Sequence, residues 1–174
     1  MILSNDCFYS YTATTTRWHS LFKEEKYRLI ILDCLNEYRE KKGLLLFGLV
    51  IMLSHVHLIA ASGPENDFLD IIQAFEKRTS CEITNQLRKD NEILLFSLYK
   101  RMSGSNLSTI WQKNGLPVTI KSEKYFIEQL EHIHANPVRK GYVLKPEDWK
   151  YSSARNWLLG DHSIISLDME RLLP

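Results

Sequence analysis

Two histidines, His55 and His57, interrupt an apolar stretch that runs from Leu44 to Ala61, where Ser54 is the one other polar residue. In a β-strand, side chains alternate, so both imidazoles project from one face and Val56 from the other. Neighbouring imidazoles supply two ligands of a divalent-metal site, and imidazole accepts several metals. The alternative is a pair of core histidines satisfied by their neighbours. Placement adds weight to the metal, since each polar ring in an apolar strand costs on the order of a few kcal/mol unless paired. A third ligand must come from elsewhere. Asn136 offers a carboxamide oxygen suited to a hard cation; it reads equally well as the cap of a helix end.

The elements that position these residues follow from periodicity. Residues 7 to 16, rich in aromatic and β-branched types, read as a strand. Residues 24 to 42 space Tyr27, Ile30, Ile31, Cys34, Leu35 and Tyr38 by threes and fours, an amphipathic helix stopped by Gly43. The apolar stretch divides at Leu53-Ser54 into strands over 44–52 and 55–61. Residues 66 to 87 form a second helix, 90 to 108 are weakly patterned and loop-like, and 116 to 121 form a short strand. Ser122 caps a third helix from 123 to about 135, which ends at Asn136-Pro137 because the residue before proline is pushed out of helical geometry. The order β-α-β-β-α-β-α predicts an α+β, ferredoxin-like (RRM-like) antiparallel sheet with helices on one face, plus an added C-terminal helix.

Composition bounds the function. The 174 residues suit a single domain, with 138–174 as a tail packed on it, and 44% hydrophobic with 25% charged residues is globular usage. With 22 Lys+Arg against 21 Asp+Glu the net charge is +1, so nucleic-acid binding would require a local basic patch. Cys7, Cys34 and Cys81 form neither a disulfide framework nor a zinc pattern and suit a reducing cytosol. The apolar run Leu44 to Leu53 is too short to span a bilayer, and no basic region precedes an apolar one at the N-terminus. A cytoplasmic protein without membrane contact is expected.

With these residues in place, the chain resembles a known family. "GLVIMLSHVHLIAAS" is similar to the strand carrying the His-hydrophobic-His motif of the HUH endonucleases, and "YTATTTRWHSLF" to their first strand. "IWQKNGLPVTI", "EHIHANPVRKGYV" and "PEDWKYSSARNW" resemble successive blocks of the REP-associated tyrosine transposases, over roughly residues 7 to 157. The resemblance implies an enzyme that binds single-stranded or hairpin DNA with a divalent metal, Mg or Mn, held by His55, His57 and Asn136. It implies that a tyrosine hydroxyl on the added helix attacks the phosphorus to leave a 5′-phosphotyrosine and a free 3′-hydroxyl. No organic cofactor is implied. The longer tail implies a monomer, whereas insertion-sequence relatives are dimers.

The chain departs from the family where the nucleophile belongs. That tyrosine lies four residues before the helix ligand, one helical turn away; here the position is His132. Strand cleavage has been lost, or Tyr125 serves, roughly 10 Å up the helix, or His132 itself acts as nucleophile, base or further ligand. The turn before the first histidine also differs, with Leu53-Ser54 in place of Pro-Asn, and Glu76 follows Phe75 where a basic residue is usual.

Candidate phosphate contacts are Arg17, Lys77, Arg78, Lys113, Lys121, Arg139, Lys140 and Arg155, with the hydroxyls of Ser152 and Ser153. Trp111 and Trp149 are candidate stacking platforms, though each reads equally as core. Competing functions on the same fold are a non-catalytic DNA-binding regulator and a ferredoxin-like RNA or small-molecule module.

Overall fold

Strands form where apolar and β-branched residues alternate: β1 Phe8–Thr14, β2 Leu44–Ile51, β3 His55–Ser62 and β4 Val118–Ile120. They make one sheet in the order β2-β3-β1-β4, antiparallel at every pairing. This is the expected α+β, ferredoxin-like arrangement. The computed structural model describes residues 7–102, 110–113 and 115–172.

Each face of the sheet carries its own core. On the first, Tyr11 and Ala13 of β1 with Val56, Leu58 and Ala60 of β3 meet helices α1 (Glu25–Lys41) and α2 (Phe68–Lys89). On the second, Phe8, Phe47, Val50 and Ile59 meet α4 (Glu123–His134) through Phe126, Leu130 and Ile133, one stripe at helical spacing. A bulge in β2 between Leu46 and Gly48 brings α4 close. A Cβ on Gly48 would stand 3.0 Å from Leu130 Cδ1 and 3.1 Å from Ile133 Cδ1.

The structure refines several expectations. The turn between β2 and β3 falls at Leu53-Ser54, closed by the Met52 N–H donating to the His55 carbonyl at 2.8 Å. Residues expected to be loop-like hold helix α3 (Ile93–Met102); of that stretch, 103–108 lies outside the described residues. Its run Ile-Leu-Leu-Phe has no polar face and so no readable period; Tyr99 of this helix is fully buried. Asn91, at φ 57, makes the left-handed stop between α2 and α3. Ser122 caps α4 as expected, accepting the Tyr125 N–H at 3.2 Å. The chain does not leave helical geometry at Asn136. Ala135 stays near the helical region and a short helix α5 (Asn136–Arg139) restarts with Pro137 in its first turn, where a missing N–H costs nothing.

The tail closes the outer edge of β2. Leu49 exchanges backbone N–H and C=O bonds with Ser153 Oγ and the Ser153 N–H, both at 2.8 Å. The Ile51 N–H donates to the Tyr151 carbonyl at 2.9 Å. Trp149 and Trp157 donate indole N–H groups to the carbonyls of Ile51 and Phe47. Helix α6 (Ala154–Leu159) follows, and beyond it Asp168 accepts the Leu46 N–H at 2.7 Å while holding Arg39 with both carboxylate oxygens at 2.9 Å.

Candidate phosphate and metal site

Strand alternation sends His55 and His57 to the α4 side of the sheet, as the spacing predicts. Their rings stand 4.7 Å apart and nearly perpendicular. Cross-strand register places Thr12 opposite His57 and Thr14 opposite His55. The Thr12 hydroxyl lies 2.8 Å from His57 Nδ1, and Ser54 Oγ lies 3.2 Å from His55 Nδ1. Each ring is thus anchored through Nδ1.

Asn136 arrives from the other direction. Its Nδ2 stands 3.1 Å from His57 Nε2 and donates to the His132 carbonyl at 3.2 Å. His55, His57, Asn136 and Lys140 line one cleft of about 250 Å³ with Ser54, Met52, Leu53, Trp18 and Tyr142. Burial is the main cause holding both imidazoles neutral: His55 is pushed down to about 4, with Lys140 adding to the effect. His57 is pushed down to about 3, with His55, His132 and Arg139 contributing. The neutral imidazole is the form that ligates a metal, and at His57 the Nε2 atom faces the Asn136 amide.

His132 is exposed on α4 next to this cluster, and burial and Arg139 lower its proton affinity. Arg139 donates to the His132 carbonyl at 2.6 Å. Among the described residues no three His, Cys, Asp or Glu side chains converge on a metal position. His132 therefore does not complete a three-imidazole group, and the third donor in reach is the Asn136 carboxamide. Tyr125 packs half-buried against the second core and does not line the cleft.

The proposed nucleic-acid contacts separate into groups. Lys140 joins the cleft, and Arg17, Lys113 and Lys121 are exposed. Lys77 and Arg78 lie on α2, across the sheet from the imidazoles, with Arg78 3.0 Å from Glu82. Arg155 is engaged by Asp161 at 2.6 Å. Ser152 and Ser153 are buried; Ser153 Oγ accepts the Leu49 N–H and faces His134 Nε2 at 2.8 Å. Trp111 lies in the first core with its indole N–H on Thr79, and Trp149 is half-buried on Ile51.

Sequence reasoning missed Thr12, Gln129 and Trp18. Gln129 of α4 accepts from the Ser10 hydroxyl through Oε1 at 3.2 Å. Thr12, with Ser10, Thr14 and Gln112, also lines a groove of about 300 Å³ beside β1. A hydroxyl on a strand carries no signal until register gives it a partner.

The fold is that of a transposase: the chain belongs to the IS200-like transposase family, whose profile matches residues 4–102. That span includes His55 and His57 but stops short of His132 and Asn136. A Haemophilus influenzae protein described as a REP-associated tyrosine transposase is 28% identical over 137 residues, covering 75% of this chain and 74% of that protein. A solved REP-associated tyrosine transposase bound to a REP hairpin superposes with a TM-score of 0.60 at 19% identity, covering 92% of this chain and 84% of the other. A Deinococcus radiodurans protein described as a transposase gives a TM-score of 0.50, also at 19% identity, over 74% and 88%. Among the described residues no helix is long and apolar enough to cross a membrane.

Proposed function

We propose that this protein binds hairpin DNA with single-stranded flanks, gripping one phosphate through a divalent ion, Mg or Mn, held by His55, His57 and Asn136. The observation that carries this reading is the placement of His57 between Thr12 and Asn136 in a cleft that also holds His55 and Lys140. The 3.1 Å between His57 Nε2 and the Asn136 amide is close to the roughly 3 Å that separates adjacent ligands around an ion with ~2.1 Å bonds. Ligation requires the carboxamide to present Oδ1, which a half-turn of the amide provides. When bound, such an ion withdraws charge from a phosphate and orients it for in-line attack. Lys140 supplies a further positive charge at the same cleft. The hairpin held by a solved structural neighbour supports the choice of ligand.

With His132 in place of the nucleophilic tyrosine, the protein recognises this DNA without joining to it. The test uses labelled DNA hairpins with single-stranded flanks and Mn²⁺. Wild type is expected to bind in a metal-dependent way and form no covalent adduct, while His132→Tyr forms one. Binding indifferent to Mn²⁺ and to His57→Ala would overturn the metal site. An adduct on wild-type protein would overturn the binding-only reading.

A further inference from the structure

The loop after β1 holds a strained and exposed tryptophan beside the histidines. Arg17 and Trp18 both have φ 56, the left-handed region that bulky side chains avoid. Two such residues in succession persist only where the surroundings impose them, and such strain concentrates at binding sites. Here the surroundings are explicit. The Thr15 hydroxyl proton is shared between the His19 carbonyl at 2.7 Å and the Ser54 carbonyl at 2.8 Å, and the Thr16 N–H donates to the Ile110 carbonyl at 2.7 Å. The Phe22 N–H donates to the Leu53 carbonyl at 2.9 Å. The loop is thereby tied to the turn that precedes His55.

The strain turns the indole outward. Trp18 is 61% exposed, while Trp111 is buried and Trp149 and Trp157 are half-buried. Its ring meets the His55 imidazole edge to face, with centroids 5.6 Å apart, and lines the cleft with Lys140. A hydrophobic core cannot be the reason for this conformation, because the side chain gains little burial from it. An exposed aromatic face beside a cleft that holds two imidazoles and a lysine matches the way single strands are held, with bases on rings and phosphates on cations.

We propose that Trp18 is the stacking platform for one unpaired nucleobase of the single-stranded flank, next to the phosphate held over His55 and His57. The proposal rests on the DNA-binding reading and adds the residue that seats the nucleotide. It is tested by recovering binders from a pool of DNA hairpins with randomised single-stranded flanks, then stepping an abasic nucleotide through the flank of a recovered binder. Wild type is expected to lose about tenfold in affinity at one position, the scale of one base–aromatic stack. Trp18→Ala is expected to bind the intact flank about tenfold more weakly and to be indifferent to the abasic step at that position, with Trp18→Phe intermediate. Quenching of tryptophan fluorescence on binding is expected in wild type and lost in Trp18→Phe. Binding with the same abasic profile in wild type and Trp18→Ala overturns this proposal alone. A pool from which wild type recovers nothing overturns the DNA reading and this proposal with it.

Discussion

The Thr12 hydroxyl stands 2.8 Å from His57 Nδ1, on the residue directly across the strand pair. A hydroxyl at this position can accept an Nδ1 proton, and the tautomer so held leaves Nε2 unprotonated toward Asn136. Second partners of this kind typically tune metal affinity by 10–100-fold. Thr12→Val keeps the shape and removes the acceptor. Mn²⁺ affinity, followed by calorimetry, is expected to fall about tenfold or more with the far-UV spectrum unchanged.

Acid should destabilise the protein through His134. Its ring is buried against Ser153, and burial lowers its proton affinity from the usual 6.5 to about 4. Below 6.5 the unfolded chain takes up a proton that the folded chain refuses. Stability is therefore complete above 6.5 and lost as pH falls toward 4, by on the order of 3 kcal/mol. Urea midpoints across that window should fall less steeply for His134→Gln than for wild type.

Gly48 sets the height of α4 above the sheet. A valine there would drive methyl groups into Leu130 and Ile133, which already stand 3.0 and 3.1 Å from an ideal Cβ. Gly48→Val is expected to cost about 2 kcal/mol in denaturant unfolding. Because Asn136 follows from the end of the same helix, Mn²⁺ binding should weaken in the same variant.

Asp168 holds two elements with one carboxylate, the Arg39 guanidinium and the Leu46 N–H. Both charged side chains are mostly buried, so removal leaves an uncompensated cation. Asp168→Ala is expected to cost about 3 kcal/mol. Asp168→Asn, which can still accept the Leu46 N–H, should fall between it and wild type in chemical denaturation.

What the sequence made legible was whatever rests on periodicity and local spacing. The alternation around Val56 put both imidazoles on one face, and the one-turn separation of His132 and Asn136 set the Asn136 amide on the His132 carbonyl. The ferredoxin-like sheet followed from the order of the elements along the chain. Long-range register stayed hidden, so Thr12 and Gln129 carried no mark. Helix α3 escaped because Ile93 to Phe96 lack a polar phase. Ser152 and Ser153 read as phosphate-contacting hydroxyls, yet Ser153 is fully buried, where it serves Leu49 and His134. Trp18 was visible as a residue, but its left-handed backbone and outward ring belong to the fold.

The seal along β2 bears on how this gene can fail. Trp149, Ser153, Trp157 and Asp168 cover hydrogen-bonding groups that an open sheet border would offer to any passing strand. A premature stop just downstream of Asn136 would spare His55, His57 and Asn136 and still bare that border. Such lesions should surface as insoluble polypeptide rather than as soluble protein with a defective site.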